Sequence, residues 1–122
     1  MMILMPTEPG VLANLLRALG DDTRLQILAL LAARPYCVCE LVDLFPIHQP
    51  AVSGHLRRLK AAELVTDERR GQWVYYALRS PLPPAAAAVL AEVQLPPALA
   101  AAASRAGPPC SEVPPAAAAA SR

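Results

Sequence analysis

Apolar residues recur at every third or fourth position through the first third of the chain, which is the spacing of one face of an α-helix. Residues 8–19 carry five of them: Val11, Leu12, Leu15, Leu16 and Leu19. This stripe is wider than packing on one neighbour requires, so a second partner, such as another subunit, would cover the excess. Gly20 ends the first predicted helix, and Asp21 is the predicted N-cap of a second, mostly apolar helix at about residues 22–33.

Two further helices follow, separated by a tight turn. The shorter one covers roughly residues 38–45, and the longer one covers about residues 49–62, with Pro50 in its first turn, where a missing N–H costs little. The inward positions of the longer helix are apolar: Val52, Leu56 and Leu59. Its outward positions are polar, basic or glycine: Gln49, Ser53, Gly54, Arg57 and Arg58. Two short helices of this kind predict a helix-turn-helix.

The pattern then changes to β-branched and aromatic residues on both sides of a glycine. Residues 64–69 and 72–78 flank Gly71, and this arrangement predicts a β-hairpin with a basic tip at Arg69 and Arg70. A hairpin that follows a helix-turn-helix is a wing. The predicted fold class is therefore mainly α with a β-hairpin wing, a winged helix-turn-helix of four helices, two strands and a fifth helix.

The C-terminal quarter contains much alanine and proline. Pro83 and Pro84 begin the fifth predicted helix, and its narrow apolar seam, which suits pairing with the first helix or with a second chain, consists of Leu82, Ala86, Val89 and Val93. Within the remainder, residues 98–103 could form a helical turn or two. The other residues lack the large apolar side chains that offset the entropy lost on ordering. We therefore predict a winged helix-turn-helix domain at residues 1–95 and a flexible tail at residues 96–122.

The net charge of the chain is only +1, but the charge is unevenly distributed. Residues 49–79 contain six basic residues against three acidic ones, a local excess that favours contact with phosphates and that a dimer would double. The apolar opening, residues 1–6, has no basic flank and is too short for a signal peptide. No later run approaches membrane-spanning length. We therefore expect no membrane association and a cytoplasmic location.

The three cysteines are an odd number with one close pair, Cys37-Val38-Cys39, and the third, Cys110, lies in the tail. This favours metal or redox chemistry over a disulfide framework, although free cysteines are often small buried hydrophobes. On a helix, residues i and i+2 lie about 200° apart, whereas on an extended segment they point to the same side. Chelation of one ion by both sulfurs therefore requires the first turn of the third helix to be non-helical or to unwind.

Together these segments resemble the ArsR/SmtB family of metal-sensing repressors over roughly residues 12–79. The similar stretches are residues 18–25 at the start of the second helix, 49–56 in the recognition helix, 71–76 in the wing, and Cys37-Val38-Cys39-Glu40-Leu41, which is similar to the cysteine motif of the arsenic-responsive branch. The resemblance implies a DNA-binding homodimer that pairs through its first and last helices, binds a palindromic double-stranded operator, and is released by As(III) or Sb(III).

On this resemblance Cys37 and Cys39 are expected ligands, and Cys110 of the same or the partner subunit is a candidate third ligand. If Cys110 is not a ligand, the third coordination position would be filled by a small thiol, by water or by an organic substituent on arsenic. Three departures stand out. Val42 occupies the position of the family's third cysteine, Gly54 replaces a longer side chain in the recognition helix, and the C-terminal helix lacks the His or Asp pair of a second zinc site.

The helix-turn-helix and wing supply the candidate DNA contacts. The expected base readers are Gln49, Ser53 and Arg57, and the expected phosphate contacts are Arg58, Lys60, Arg69 and Arg70. His55 either hydrogen-bonds DNA or holds the helix-turn-helix together. Each charge could equally be a solvated surface group.

Other functions stay open. The cysteines could form a redox switch, with Cys110 bridging to Cys37 or Cys39, or could sense a divalent ion such as cadmium, lead or zinc. A winged helix that binds only protein is a further alternative. An enzyme is not expected, because the chain has no C-x-x-C, no Gly-rich phosphate loop and no Ser/His/Asp set placed to react.

Overall fold

The computed structural model describes residues 7–104. Within these residues the elements are α1 (Pro9–Leu19), α2 (Asp22–Ala33), β1 (Tyr36–Cys37), α3 (Val38–Leu44), α4 (Gln49–Ala61), β2 (Val65–Arg70), β3 (Trp73–Leu78), α5 (Pro84–Ala91) and α6 (Pro97–Ala103). The predicted fold class, mainly α with a β-hairpin wing, is confirmed. No helix of the described part is both long enough and apolar enough to cross a bilayer.

Local sequence signals position the first helices. Asp21 is the N-cap of α2, and its carboxylate accepts a hydrogen bond of 3.0 Å from the backbone N–H of Arg24. α2 lies in the middle of the core, where Ile27, Leu28 and Leu30 are completely buried. α1 covers the core with Ala18 and Leu19 but leaves two of its large apolar residues in solvent: Val11 is 58% exposed and Leu16 is 48% exposed.

The sheet has one strand more than the sequence predicts. β1 pairs antiparallel with β3, which also pairs with β2, so that the strand order is β1-β3-β2. Tyr36 lies opposite Tyr76 and Cys37 opposite Tyr75. β1 was not predicted because two residues are too few to show a periodic pattern, and its existence depends on the distant wing.

The wing forms as the glycine between its strands predicts. Gly71 adopts a φ of +62°, a left-handed conformation that glycine accepts without steric cost. The register of β2 and β3 runs from the pair Val65 and Leu78 to the pair Arg70 and Trp73 next to the turn. The wing therefore begins in the core and ends in solvent.

A tight closure joins α4 to the wing. The backbone N–H of Leu64 donates to the Leu59 carbonyl and that of Glu63 donates to the Lys60 carbonyl, which is the Schellman pattern of a helix end. Glu63 takes the left-handed position with a φ of +60°, where glycine is usual. Leu64 is fully buried, so the link between recognition helix and wing is short and anchored.

The C-terminal stretch contains the predicted fifth helix, α5, and a second helix, α6, where the sequence indicates a helical turn or two. α5 buries Ala86. α6 lies within the stretch assigned to the tail, and it adds Leu99 and Ala103 to the rim of the main core and buries Ala102. The rest of the predicted tail, including Cys110, and the apolar residues 1–6 lie outside the described residues.

Candidate thiol site and nucleic-acid interface

The two cysteines stand on either side of a change in backbone winding. Cys37 ends β1 and is the N-cap of α3, with an extended φ of −83° and ψ of 160°. Cys39 lies in the first turn of α3. Chelation by a C-x-C requires a non-helical backbone, and Cys37 already has one. Of the two cysteines, Cys39 is the one that lies within the helix.

Cys37 is completely buried and Cys39 is partly buried. Both are disulfide-bonded in the structure. Their neighbours in a small cluster, separate from the main core, are the wing residues Tyr75 and Trp73. The two cysteines therefore contact the wing and also lie at the start of the helix-turn-helix.

A buried carboxylate fixes the backbone of Cys37. Glu40 is 5% exposed, and its Oε1 accepts a hydrogen bond of 3.0 Å from the Cys37 backbone N–H. Its Oε2 accepts one of 3.1 Å from Nη2 of Arg34. The Arg34 guanidinium in turn lies 3.8 Å from the ring centroid of Tyr36, the neighbour of Cys37 on β1. Glu40 thereby joins the start of α3 to the end of α2.

The donor set suits a soft ion but is incomplete within the described part. Two thiolates select thiophilic ions over hard ones. Among residues 7–104, however, no group of three or more His, Cys, Asp or Glu side chains is placed to hold a metal ion. Val42, at the position of the missing third cysteine, packs against the main core. A third ligand would therefore have to come from Cys110 or from solution.

The outer face of α4 is polar and accessible. Gln49, Arg57 and Arg58 are exposed and Ser53 is partly buried, whereas Val52, Leu56 and Leu59, all predicted to face inward, are completely buried. The predicted base readers thus lie together on the solvent side of a well-anchored helix. This is the geometry with which a recognition helix enters a major groove.

Lys60 also connects α4 to the wing. Its Nζ lies 2.8 Å from Oδ1 of Asp67 on β2. The hydrogen bond to Asp67, together with the charge of that carboxylate, raises the pKa of Lys60 above its ordinary value. Lys60, predicted to contact phosphate, therefore has a carboxylate partner within the same chain.

The wing tip exposes both predicted arginines. Arg70 donates from Nε and Nη2 to Oε1 of Glu68, at 3.1 and 3.0 Å. Its guanidinium carbon also lies 4.7 Å from the ring centroid of Tyr75. Arg70 thus rests against the aromatic residue that contacts Cys37, and Arg69 is on the opposite face of the strand.

His55 faces the junction of α1 and α2. Its Nδ1 lies 3.1 Å from Nη1 of Arg24 and 3.8 Å from Oδ2 of Asp21. Because arginine has no acceptor, Nδ1 accepts this hydrogen bond and Nε2 carries the ring proton. Arg24 also donates to the carbonyls of Ala18, at 2.7 Å, and Arg17, at 3.0 Å. His55 therefore links the recognition helix to the C-terminal end of α1.

Three residues of these sites were not identified from the sequence: Arg24, Glu40 and Tyr75. Glu40 follows the N-cap by three positions, which is the spacing of a capping box and could have been recognised with cysteine in place of serine. Arg24 is the one basic residue of the mostly apolar helix α2, which indicates a buried charge with partners. Tyr75 gives no local signal, because its role depends on the pairing of β1 with β3.

Comparison with known proteins identifies the family. A family model described as "Bacterial regulatory protein, arsR family" matches residues 21–67. The arsenic resistance transcriptional regulator ArsR1 of Pseudomonas putida is 43% identical over 68 residues, which are 55% of this chain and 53% of that protein. The arsenical resistance operon repressor of Escherichia coli is 38% identical over 80 residues, 65% of this chain and 68% of that protein. The chain thus spans about half to two thirds of the length of these relatives.

A solved structure agrees with these matches. Reduced HlyU from Vibrio cholerae superposes with a TM-score of 0.60 and 32% identity, covering 70% of this chain and 92% of that one. By name, the two sequence relatives are a transcriptional regulator and an operon repressor. On its sequence matches and its winged-helix architecture, the chain belongs to the ArsR family of bacterial regulatory proteins.

Proposed function

We propose that the protein is a homodimeric transcriptional repressor that binds double-stranded operator DNA and dissociates when Cys37 and Cys39 capture trivalent arsenic or antimony. The observation that carries the proposal is the position of the thiol pair, at the start of α3 and against β3. A ligand there acts on α3, which leads through one tight turn into the recognition helix α4. The relatives named for arsenic resistance support the choice of ion.

The chemistry requires reduced thiols. Each thiol that forms a bond from sulfur to the arsenic of arsenous acid gives its proton to a departing hydroxyl, which leaves as water. Cys37 and Cys39 would supply two such bonds, and Cys110, a small thiol or a remaining hydroxyl would complete the coordination. A single ion held by both sulfurs would act on the backbone at Val38, where the winding changes from extended to helical.

On the DNA side, α4 would enter the major groove with Gln49, Ser53 and Arg57 near base edges. Arg58, Lys60, Arg69 and Arg70 would meet phosphates. The exposed apolar side chains of Val11 and Leu16 on α1 support a subunit interface on this helix, since burying them in a dimer removes apolar surface from water. Such a dimer would present two recognition helices to two half-sites.

Fluorescence anisotropy of labelled DNA from upstream of the protein's own gene tests the proposal. Arsenite is titrated under a phosphine reductant, because a dithiol reductant would itself bind arsenic. Typical coupling free energies of about 1–3 kcal/mol correspond to a loss of affinity of roughly 5- to 150-fold. Cys37→Ser and Cys39→Ser should hold DNA as the wild type does and should not be released. If both variants are released like the wild type, the assignment of the thiol pair is wrong.

Cys110→Ser is the matched control outside the pair. Release at higher arsenite concentration would assign Cys110 as a third ligand. Unchanged release would leave the third position to water or to a small thiol.

A second candidate, a thiol redox switch in the same fold, is favoured by the disulfide-bonded state of both cysteines. Oxidation of two thiols by hydrogen peroxide would form one disulfide and two waters. In the same anisotropy assay, release by peroxide but not by arsenite under strict reduction would select this candidate. Cadmium, lead and zinc salts in parallel titrations test the divalent alternative.

A further inference from the structure

One face of the sheet connects the thiol pair with the wing tip. Cys37 lies opposite Tyr75, and Tyr75 lies opposite Glu68, so the three residues form one row across β1, β3 and β2. Residues paired across strands share a face of the sheet. Because side chains alternate along a strand, Trp73 and Arg70, each two positions along from a member of the row, share that face. The other face carries Tyr36 and Tyr76 and belongs to the main core.

Tyr75, in the middle of this row, contacts both Cys37 and the wing-tip residue Arg70. It packs against Cys37 in the small cluster and lies under the guanidinium of Arg70, 4.7 Å from ring centroid to guanidinium carbon. Glu68 holds the same guanidinium from the side through two hydrogen bonds to one oxygen. The Arg70 charge is therefore held by Glu68 and by Tyr75, the residue that touches Cys37.

The cluster has little space for an added atom. Cys37 is 0% exposed and Tyr75 is 6% exposed. Protein interiors are packed so closely that an extra atom displaces its neighbours. An ion bound to Cys37 Sγ would thus displace a side chain of the cluster, and Tyr75 is the side chain that lies between Cys37 and the wing tip.

We propose that Tyr75 is a positioning residue that transmits the loading of Cys37 to Arg70, so that the ligand removes a phosphate contact of the wing. This route is separate from the turn between α3 and α4. It rests on the proposed function in that Cys37 takes a ligand. It differs from that function in assigning part of the release to the wing.

The salt dependence of operator binding tests this route. The logarithm of the binding constant falls with the logarithm of salt concentration by about 0.9 for each phosphate contact. Loss of one contact from Arg70 in each subunit of a dimer should therefore reduce the wild-type slope by about 1.8 on loading with arsenite. The fluorescence of Trp73, which is the one tryptophan of the chain and packs against the cluster, reports loading separately from DNA binding.

Variants of Tyr75 separate positioning from folding. Tyr75→Leu should still report arsenite through Trp73, but its salt slope should not change on loading. Tyr75→Phe keeps an aromatic face under the guanidinium and should restore the wild-type change. Tyr76→Leu is the matched control, because it makes the same substitution on the same strand but on the opposite face, and it should retain the change.

Two further variants keep the test decisive. If Tyr75→Leu does not fold, Arg70→Lys at the exposed wing tip serves instead, because lysine lacks the planar group that stacks and should abolish the ligand-dependent change in slope. Cys37→Val adds bulk at the buried position without any effector. It should lower the salt slope of operator binding when Arg70 is present and should leave the salt slope of the Arg70→Ala variant unchanged.

The outcomes distinguish the two proposals. If arsenite neither changes Trp73 fluorescence nor releases DNA, the proposed function fails, and the effect of Cys37→Val on the slope still decides the role of Tyr75. A loaded Tyr75→Leu or Arg70→Lys variant with the full wild-type change in slope overturns the proposal. So does an unchanged slope in folded Cys37→Val.

Discussion

Replacement of Glu40 by alanine tests the statement that this carboxylate fixes the backbone under the cysteines. Glu40 is 5% exposed, accepts a hydrogen bond from the Cys37 backbone N–H at 3.0 Å and forms an ion pair with Arg34 at 3.1 Å. The substitution leaves the N–H of a completely buried residue without its acceptor and removes half of a helix cap. We therefore expect a substantial loss of stability from a side chain that is not itself a ligand.

The magnitude follows from these two contacts. A buried donor left unsatisfied costs about 1–3 kcal/mol, and loss of a helix cap costs about 1 kcal/mol. The two terms overlap, because the same hydrogen bond contributes to both. Loss of the ion pair places the total in the upper part of this range, because Glu40 is buried and Arg34, although it keeps its stacking on Tyr36, is only 24% exposed. The expected decrease in the free energy of unfolding is about 2–3 kcal/mol.

Urea denaturation, followed by circular dichroism in the presence of reductant and at one fixed protein concentration, measures this decrease. Glu40→Gln retains a carbonyl acceptor for the Cys37 N–H and should lose about 1 kcal/mol. Asp43→Ala is the matched control, because Asp43 is an exposed acidic residue of the same helix, and it should change stability by less than about 0.5 kcal/mol. A Glu40→Ala variant as stable as Asp43→Ala would refute the reasoning.

Three further predictions concern backbone conformation and burial. Gly54→Ala in α4, where a Cβ would meet only Arg57 Nη2 at 3.8 Å, and Glu63→Gly at the left-handed position should each raise the free energy of unfolding by about 0.5–1 kcal/mol in urea denaturation. A lower free energy of unfolding would contradict the helical backbone at Gly54 in the first case and the left-handed backbone at Glu63 in the second. Burial raises the pKa of Tyr36 in the folded protein above its ordinary value of 10.0, so the unfolded chain loses the phenolic proton at a lower pH than the folded one. The contribution of Tyr36 to the free energy of unfolding should therefore decrease as the pH rises above 10.0. Tyr36→Phe should reduce that alkaline loss without destabilising the protein at pH 7, because the buried hydroxyl has no hydrogen-bond partner in the described part.

Periodicity and turn chemistry were sufficient to predict the helix-turn-helix and the wing. The inward positions of α4 follow the helical repeat, Asp21 caps α2, and Gly71 makes the turn of the hairpin. These features are encoded within a few neighbouring residues. Their physical cause is the local backbone preference of each residue type, together with the burial of one face.

The remaining features depend on contacts between residues that are distant in the sequence. β1 exists because β3 accepts it, and α6 is stabilised by the packing of Leu99 and Ala102 rather than by the helix-forming tendency of its alanines alone. The partners of His55 and Arg70 also lie outside their own helix or turn, at Arg24 and Tyr75. A pattern of residue types along the chain carries no information on such pairings.

The short closure between α4 and β2, with the ion pair of Lys60 and Asp67 beside it, ties the base of the wing to the end of the recognition helix. In the proposed complex with DNA, this connection would restrict how far the base of the hairpin can move relative to the recognition helix. In the proposed homodimer, operators whose half-sites are spaced differently would be accommodated mainly by rotation of one subunit against the other. Sequence variation at the subunit boundary, rather than in the reading surface, would then decide which spacings are tolerated.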